Sequence, residues 1–246
     1  MNNSQNLEAI VLAGGFGTRL RGAVPNLPKA MALVAGRPFL EHVLDRLVSQ
    51  GICRVVLSVG YMADVIKSHF GYDYCGVDIV YAVEGFPLGT GGAIAFGLTY
   101  VKANSALVLN GDTLVALDYA RFAEACERRR SRLGIVVRYV EDAGRYGRCD
   151  IESETLTKFS EKGIAGSGFI NAGVYWVTRD VFDEFGVPEA FSFEQDFVAK
   201  YLNELHPVGF PVEDYFIDIG VPEDYRRAQV ELTSEVSTCP EGENLL

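Results

Sequence analysis

Glu8-Ala-Ile-Val-Leu-Ala13, closed by Gly14-Gly15, is a short apolar run that passes straight into glycines. Such a run reads as a strand buried on both faces that hands over to a Gly-rich loop. Downstream, Phe39, Leu40, Val43, Leu44, Leu47 and Val48 form one helical stripe that Gly51 closes. Strands are expected at Arg54–Val59 and Val77–Val83 with a helix at Ala63–Phe70 between them. After the loop Pro87–Gly92 comes a helix over Ala93–Val101, then a wholly apolar strand, Ala106–Asn110, that ends in Gly111-Asp112. A helix at Tyr119–Arg130 and a strand at Gly134–Val140 complete the alternation. This order predicts the α/β class: a Rossmann-like, mostly parallel central sheet with helices on both faces, binding its ligand beyond the C-terminal strand ends.

From Tyr146 onward the pattern shortens and alternates. Strands at Arg148–Glu152, Thr155–Glu161 and Phe169–Thr178 suggest a smaller mixed or antiparallel part that walls a cleft. Helices are expected at Arg179–Phe185, Phe193–Leu202 and Pro222–Leu232, the last opening on proline. The expected organisation is one domain over 1–233, with parts at about 8–140 and 141–233, and a frayed acidic tail over 234–246.

The 246 residues carry 22 Lys plus Arg against 33 Asp plus Glu, a net charge of −11. That sign argues against partners rich in phosphate backbone or anionic lipid, so no nucleic acid or membrane is expected. Five widely spaced cysteines with no Cys-x-x-Cys pair suit neither a disulfide framework nor a zinc site. With no basic n-region at the N-terminus and no apolar run of about 20 residues, a reduced cytoplasmic protein is expected.

The loop Gly14-Gly15-Phe16-Gly17-Thr18-Arg19-Leu20 lets backbone N–H groups approach a phosphate, although a tight strand-to-helix turn explains the glycines equally well. It lacks the Gly-Lys-Ser/Thr of a P-loop. The dinucleotide fingerprint needs an acid near the end of the second strand, where Ser58, Val59 and Gly60 stand. Arg19 and Lys29 are cations that could meet phosphate oxygens; each alone reads as a surface charge. Asp112 and Asp218 each follow an apolar strand and precede or neighbour a glycine. Two such carboxylates suit Mg²⁺, and each alone also suits a turn or a helix cap. Glu161, Lys162 and Asn171 offer polar groups for a sugar or phosphate, the charged pair reading equally as an exposed strand end.

These residues resemble the sugar-1-phosphate nucleotidylyltransferases. The matching pieces are Ala13–Leu20 with Pro28-Lys29, Pro87–Ala93, Asn110-Gly111-Asp112, Tyr146-Gly147, Glu161-Lys162, Asn171-Ala172-Gly173 and Ile217–Gly220, in order along nearly the whole chain. Phe191–Glu194 and Tyr215–Tyr225 are most similar to the D-glycero-α-D-manno-heptose 1-phosphate guanylyltransferases. The resemblance implies transfer of GMP from GTP to the heptose phosphate with Mg²⁺ at Asp112 and Asp218. It assigns Arg19, Lys29, Asp112 and Asp218 to catalysis. It also assigns the nucleotide to Leu12, Ala13, Gly14, Gly15, Gly17, Thr18, Arg19, Lys29, Pro87, Leu88, Gly89, Thr90, Asn110 and Gly111, and the sugar phosphate to Gly147, Glu161, Lys162 and Asn171. Alternatives are a mannose or N-acetylmuramate 1-phosphate nucleotidylyltransferase using GTP or UTP, or a non-catalytic nucleotide-sugar sensor. The partners implied are small molecules; a homodimer is one assembly the sequence leaves open.

Overall fold

A computed structural model describes residues 7–15, 27–160 and 165–234. In chain order the strands and helices are β1 (Ala9–Leu12), β2 (Leu33–Val34), β3 (Arg37–Pro38), α1 (Phe39–Ser49), β4 (Arg54–Val59), α2 (Ala63–Phe70), β5 (Asp73–Tyr74) and β6 (Val77–Val83). There follow α3 (Gly89–Leu98), β7 (Ser105–Asn110), β8 (Thr113–Val115), α4 (Tyr119–Arg128), β9 (Leu133–Val140), β10 (Arg148–Glu152), β11 (Thr155–Ser160) and β12 (Gly168–Thr178). The chain closes with α5 (Leu202–Leu205), β13 (Val208–Val212), β14 (Phe216–Asp218) and α6 (Pro222–Glu231).

Among the described residues, the large sheet runs β10-β11-β13-β9-β12-β7-β1-β4-β6-β5. β1, β4, β6 and β7 are mutually parallel, and β12 joins β7 and β9 antiparallel. The second part therefore extends the first sheet instead of standing beside it. Alternate residues of the central strands enter two cores. Ala9, Val11, Val55, Leu57, Leu107 and Leu109 pack with α1, α2 and α4. Ile10, Val56 and Val108 pack on the other face with α3 and the phenylalanines of the 191–197 segment. Side chains alternate across a strand, so a strand apolar at every position needs cover on both faces.

Several expected elements shift. α3 begins at Gly89, inside the stretch expected to be a loop, because its glycines lie against the Phe191 segment where side chains do not fit. A Cβ on Gly91 would overlap the Phe191 ring, and one on Gly92 the Glu189 carbonyl. Residues 179–185 form successive turns instead of a helix, with Val181, Asp183 and Phe185 N–H groups each donating three residues back. The expected helix over 193–202 is a π-helical turn, Phe193–Val198, followed by the short α5. Cys53, Cys126 and Cys149 are free thiols, whereas Cys75, in the half-buried turn between β5 and β6, is disulfide-bonded; the expectation of a fully reduced chain fails there. No helix among the described residues is long and apolar enough to cross a membrane.

Candidate active site

The sheet changes direction at β1. From β1 the chain moves outward to β4 and β6, then returns to the opposite side with β7. The strand order therefore reverses at β1, and the crevice beyond the carboxyl ends of the strands at such a point is the usual ligand site of this kind of sheet. A cavity of about 520 Å³ occupies it. That is the size of a small-molecule site.

One wall of the cavity is the end of β1, Leu12 to Gly15, pinned to β4 where the Ala13 N–H donates to the Ser58 carbonyl at 2.8 Å. Asn110, Gly111 and Asp112 from the end of β7 form the next wall, with the Gly111 N–H donating to the Leu12 carbonyl at 3.0 Å. A Cβ on Gly111 would stand 2.7 Å from that carbonyl, so only glycine lets the two strand ends approach. Pro87, Gly89 and Thr90 line a third side, while Leu88 turns inward, 7% exposed.

Lys29 opens a 3₁₀ turn over Lys29–Met31 and also lines the cavity. Its ammonium is paired with the Asp112 carboxylate and lies 3.9 Å from Asp218. The two carboxylates meet because β8 and β14 pair antiparallel, with Asp218 opposite Thr113, and the Ile219 N–H donates to the Asp112 carbonyl at 3.0 Å. The Gly220 N–H donates to Asp218 Oδ1 at 2.7 Å. Burial, and next the charge of Asp112, push the Asp218 carboxyl above its ordinary pKa, against the opposing pull of Lys29. Crowded carboxylates of this kind are short of positive charge, and their hard oxygen donors fit a cation such as Mg²⁺. Among the described residues no cluster of three or more acidic, histidine or cysteine side chains provides a fuller metal cage.

On the other side of β7, Gly147 precedes β10 and its carbonyl accepts from the Asn171 N–H at 3.2 Å. Asn171 is buried on β12. Gly17, Thr18, Arg19, Glu161 and Lys162 lie outside the described residues.

One residue that the sequence reading passed over, Glu84, lines the cavity just past β6. Its Oε1 accepts from the Ser58 hydroxyl and its Oε2 from the Leu88 N–H, both at 3.2 Å. Gly14 is bare beside it: a Cβ there would stand 2.9 Å from Glu84 Oε1. The signal was present, since Glu84 follows an apolar strand just as Asp112 does.

Comparison with known proteins agrees with this geometry. Residues 8–235 match the nucleotidyl transferase family. The chain is 40% identical over 226 residues to the D-glycero-alpha-D-manno-heptose 1-phosphate guanylyltransferase of Aneurinibacillus thermoaerophilus, covering 92% of this chain and 98% of that protein. It is 41% identical over 220 residues to the protein of the same name from Campylobacter jejuni, covering 89% and 97%. The crystal structure of HddC from Yersinia pseudotuberculosis complexed with GMP-PN superposes with a TM-score of 0.81 at 38% identity, covering 91% of this chain and 98% of that one. A match over nearly the whole length, with the glycine-walled crevice at the sheet's switch point, makes this chain a member of the nucleotidyl transferase family.

Proposed function

We propose that the chain transfers GMP from GTP onto D-glycero-α-D-manno-heptose 1-phosphate, forming GDP-heptose and pyrophosphate for bacterial surface polysaccharide synthesis in the cytoplasm. The observation that carries the reading is the meeting of Lys29, Asp112 and Asp218 beside the switch-point cavity. The substrates are those named for the relatives at 40–41% identity.

In this reaction an oxygen of the sugar phosphate attacks the α-phosphorus of GTP in line. The bond from that phosphorus to the bridging oxygen breaks, and its electron pair leaves with pyrophosphate. No covalent enzyme intermediate is needed, so catalysis rests on positioning and on neutralising charge. Gly14, Gly15 and the strand ends would hold the nucleotide close to backbone N–H groups. Lys29, moving from Asp112 to a phosphate oxygen, takes charge that develops on the leaving group. Arg19 and Lys162 would add charge at the triphosphate and the sugar phosphate, roles that rest on the resemblance. Asp112 and Asp218 would hold Mg²⁺, which when bound supplies further neutralisation of the phosphates.

Glu84 supports guanine as the base. An ionised carboxylate only accepts hydrogen bonds, and guanine presents two adjacent donors, N1–H and the 2-amino group. Uracil presents one donor between two carbonyls, which a carboxylate repels.

The test is Mg²⁺-dependent pyrophosphate release with GTP, ATP, UTP or CTP against the heptose, mannose and N-acetylmuramate 1-phosphates. Release with GTP and the heptose phosphate is expected; release with another pair alone, or nucleotide binding without release, overturns the assignment. In the same assay Glu84→Gln is expected to lower kcat/KM for GTP by about 10- to 100-fold, the worth of a hydrogen bond to a charged group, while UTP loses nothing.

A further inference from the structure

Asn171 has no donor left for a substrate. Its Nδ2 donates to the Tyr175 hydroxyl and to Glu194 Oε1, each at 2.7 Å, and its Oδ1 accepts from the Gly173 N–H at 3.0 Å. The Tyr175 hydroxyl in turn donates to Glu194 Oε1 at 3.3 Å. Burial, and next the charge of Glu194, hold that hydroxyl well above its ordinary pKa, so it remains a donor. Two donors therefore converge on one oxygen of Glu194. The other, Oε2, has no hydrogen-bond partner among the described residues, on a half-buried side chain.

The position of this carboxylate is set from both sides. Glu194 sits in the π-helical turn, where its carbonyl accepts from the Ala199 N–H five residues on, at 2.9 Å. The preceding residue, Phe193, donates its N–H to the Thr90 hydroxyl at 2.9 Å, and Thr90 lines the nucleotide cavity. On the opposite side Asn171 is bonded through its own N–H to Gly147. With both protein donors on Oε1, Oε2 keeps its acceptor capacity on a carboxylate whose position is fixed.

We propose that Glu194 recognises the sugar: its Oε2 accepts a hydrogen bond from a hydroxyl of the sugar 1-phosphate, while Asn171 and Tyr175 fix the carboxylate. This rests on the reaction proposed above and deepens it by naming a residue that reads the acceptor sugar. The hydroxyl belongs to the sugar and not to the ribose of the nucleotide, because Glu194 is not among the residues lining the nucleotide cavity and is tied through Asn171 to Gly147.

The experiment compares wild type, Glu194→Ala and Glu194→Gln on D-glycero-α-D-manno-heptose 1-phosphate and on its singly deoxygenated forms. In the wild type, removing one particular hydroxyl is expected to lower kcat/KM by about 10- to 100-fold. In Glu194→Ala that same deoxygenation costs nothing further, while KM for GTP stays within about twofold. Such a cycle isolates the pair of groups from any general loss of structure. Glu194→Gln, which keeps the shape and one acceptor oxygen, is expected to fall between the two. The proposal is overturned if every deoxy form loses the same factor in the variants as in the wild type, or if no deoxygenation costs the wild type more than about twofold. A wild type that turns over none of these sugar phosphates overturns the reaction itself.

Discussion

Asp218 carries a cost that its proposed role would explain. Its carboxyl is raised in pKa by burial and by Asp112, so the folded state disfavours the ionised form relative to the unfolded chain. A raised folded-state pKa for an acid adds stability below the unfolded value, and that stability is lost as pH rises through the folded value. At neutral pH ionised Asp218 is therefore a net burden. Asp218→Asn is expected to raise Tm at pH 7–8 while lowering turnover by about 10²- to 10³-fold, the scale of losing one preorganised electrostatic group. The Tm gain should shrink on acidification. Thermal melts across pH together with pyrophosphate release check both halves, and a variant less stable than wild type at pH 8 would sink the argument. Asp112 and Asp218 were readable because each carboxylate follows an apolar strand. Glu84 shows the same signal, but its partners Ser58 and Leu88 come from other segments, so its bearing on the cavity depends on the fold.

The start of α3 shows why an element can be harder to read than a residue. Glycine is a poor helix former, so Gly89, Gly91 and Gly92 argue for a loop by propensity alone. What outweighs propensity is the segment lying across them: the Gly91 N–H donates to the Phe191 carbonyl at 2.9 Å, and the Phe191 N–H donates to Leu88 at 3.0 Å. Gly89 also has φ +68°, a conformation that L side chains rarely adopt. Gly92→Ala is expected to cost about 1–3 kcal/mol by overpacking. Because Thr90 shares the same interface, KM for GTP should rise as well. Urea unfolding and steady-state kinetics test this; an unchanged denaturation midpoint would show that the contact yields freely. The parallel strands, by contrast, were legible nearly to the residue, since short, largely apolar runs bounded by loop residues have few other homes. β8 and β14, three residues each, are too short to carry a period, and only their pairing makes them strands.

Across the whole molecule, β12 is the seam. It pairs with β7 of the parallel part and with β9 and β10 of the mixed part, so neither part keeps its edge closed without it. The one tryptophan, Trp176, lies in this strand at 3% exposure, opposite both Leu107 and Gly134. Tryptophan fluorescence and far-UV circular dichroism are expected to report a single coincident urea transition. Two separated transitions would mean that the parts fold independently. The alternation of the first part made its layering legible in sequence; the continuity of the sheet was not, because it rests on long-range antiparallel pairing that no local pattern encodes. The β8–β14 ladder has a consequence for engineering. The chain could be severed at the exposed connection around 141–142, leaving Asp112 on one fragment and Asp218 on the other. Neither piece would hold both carboxylates, so turnover would appear only when the halves reassemble, and the reaction would serve as a readout of fragment complementation.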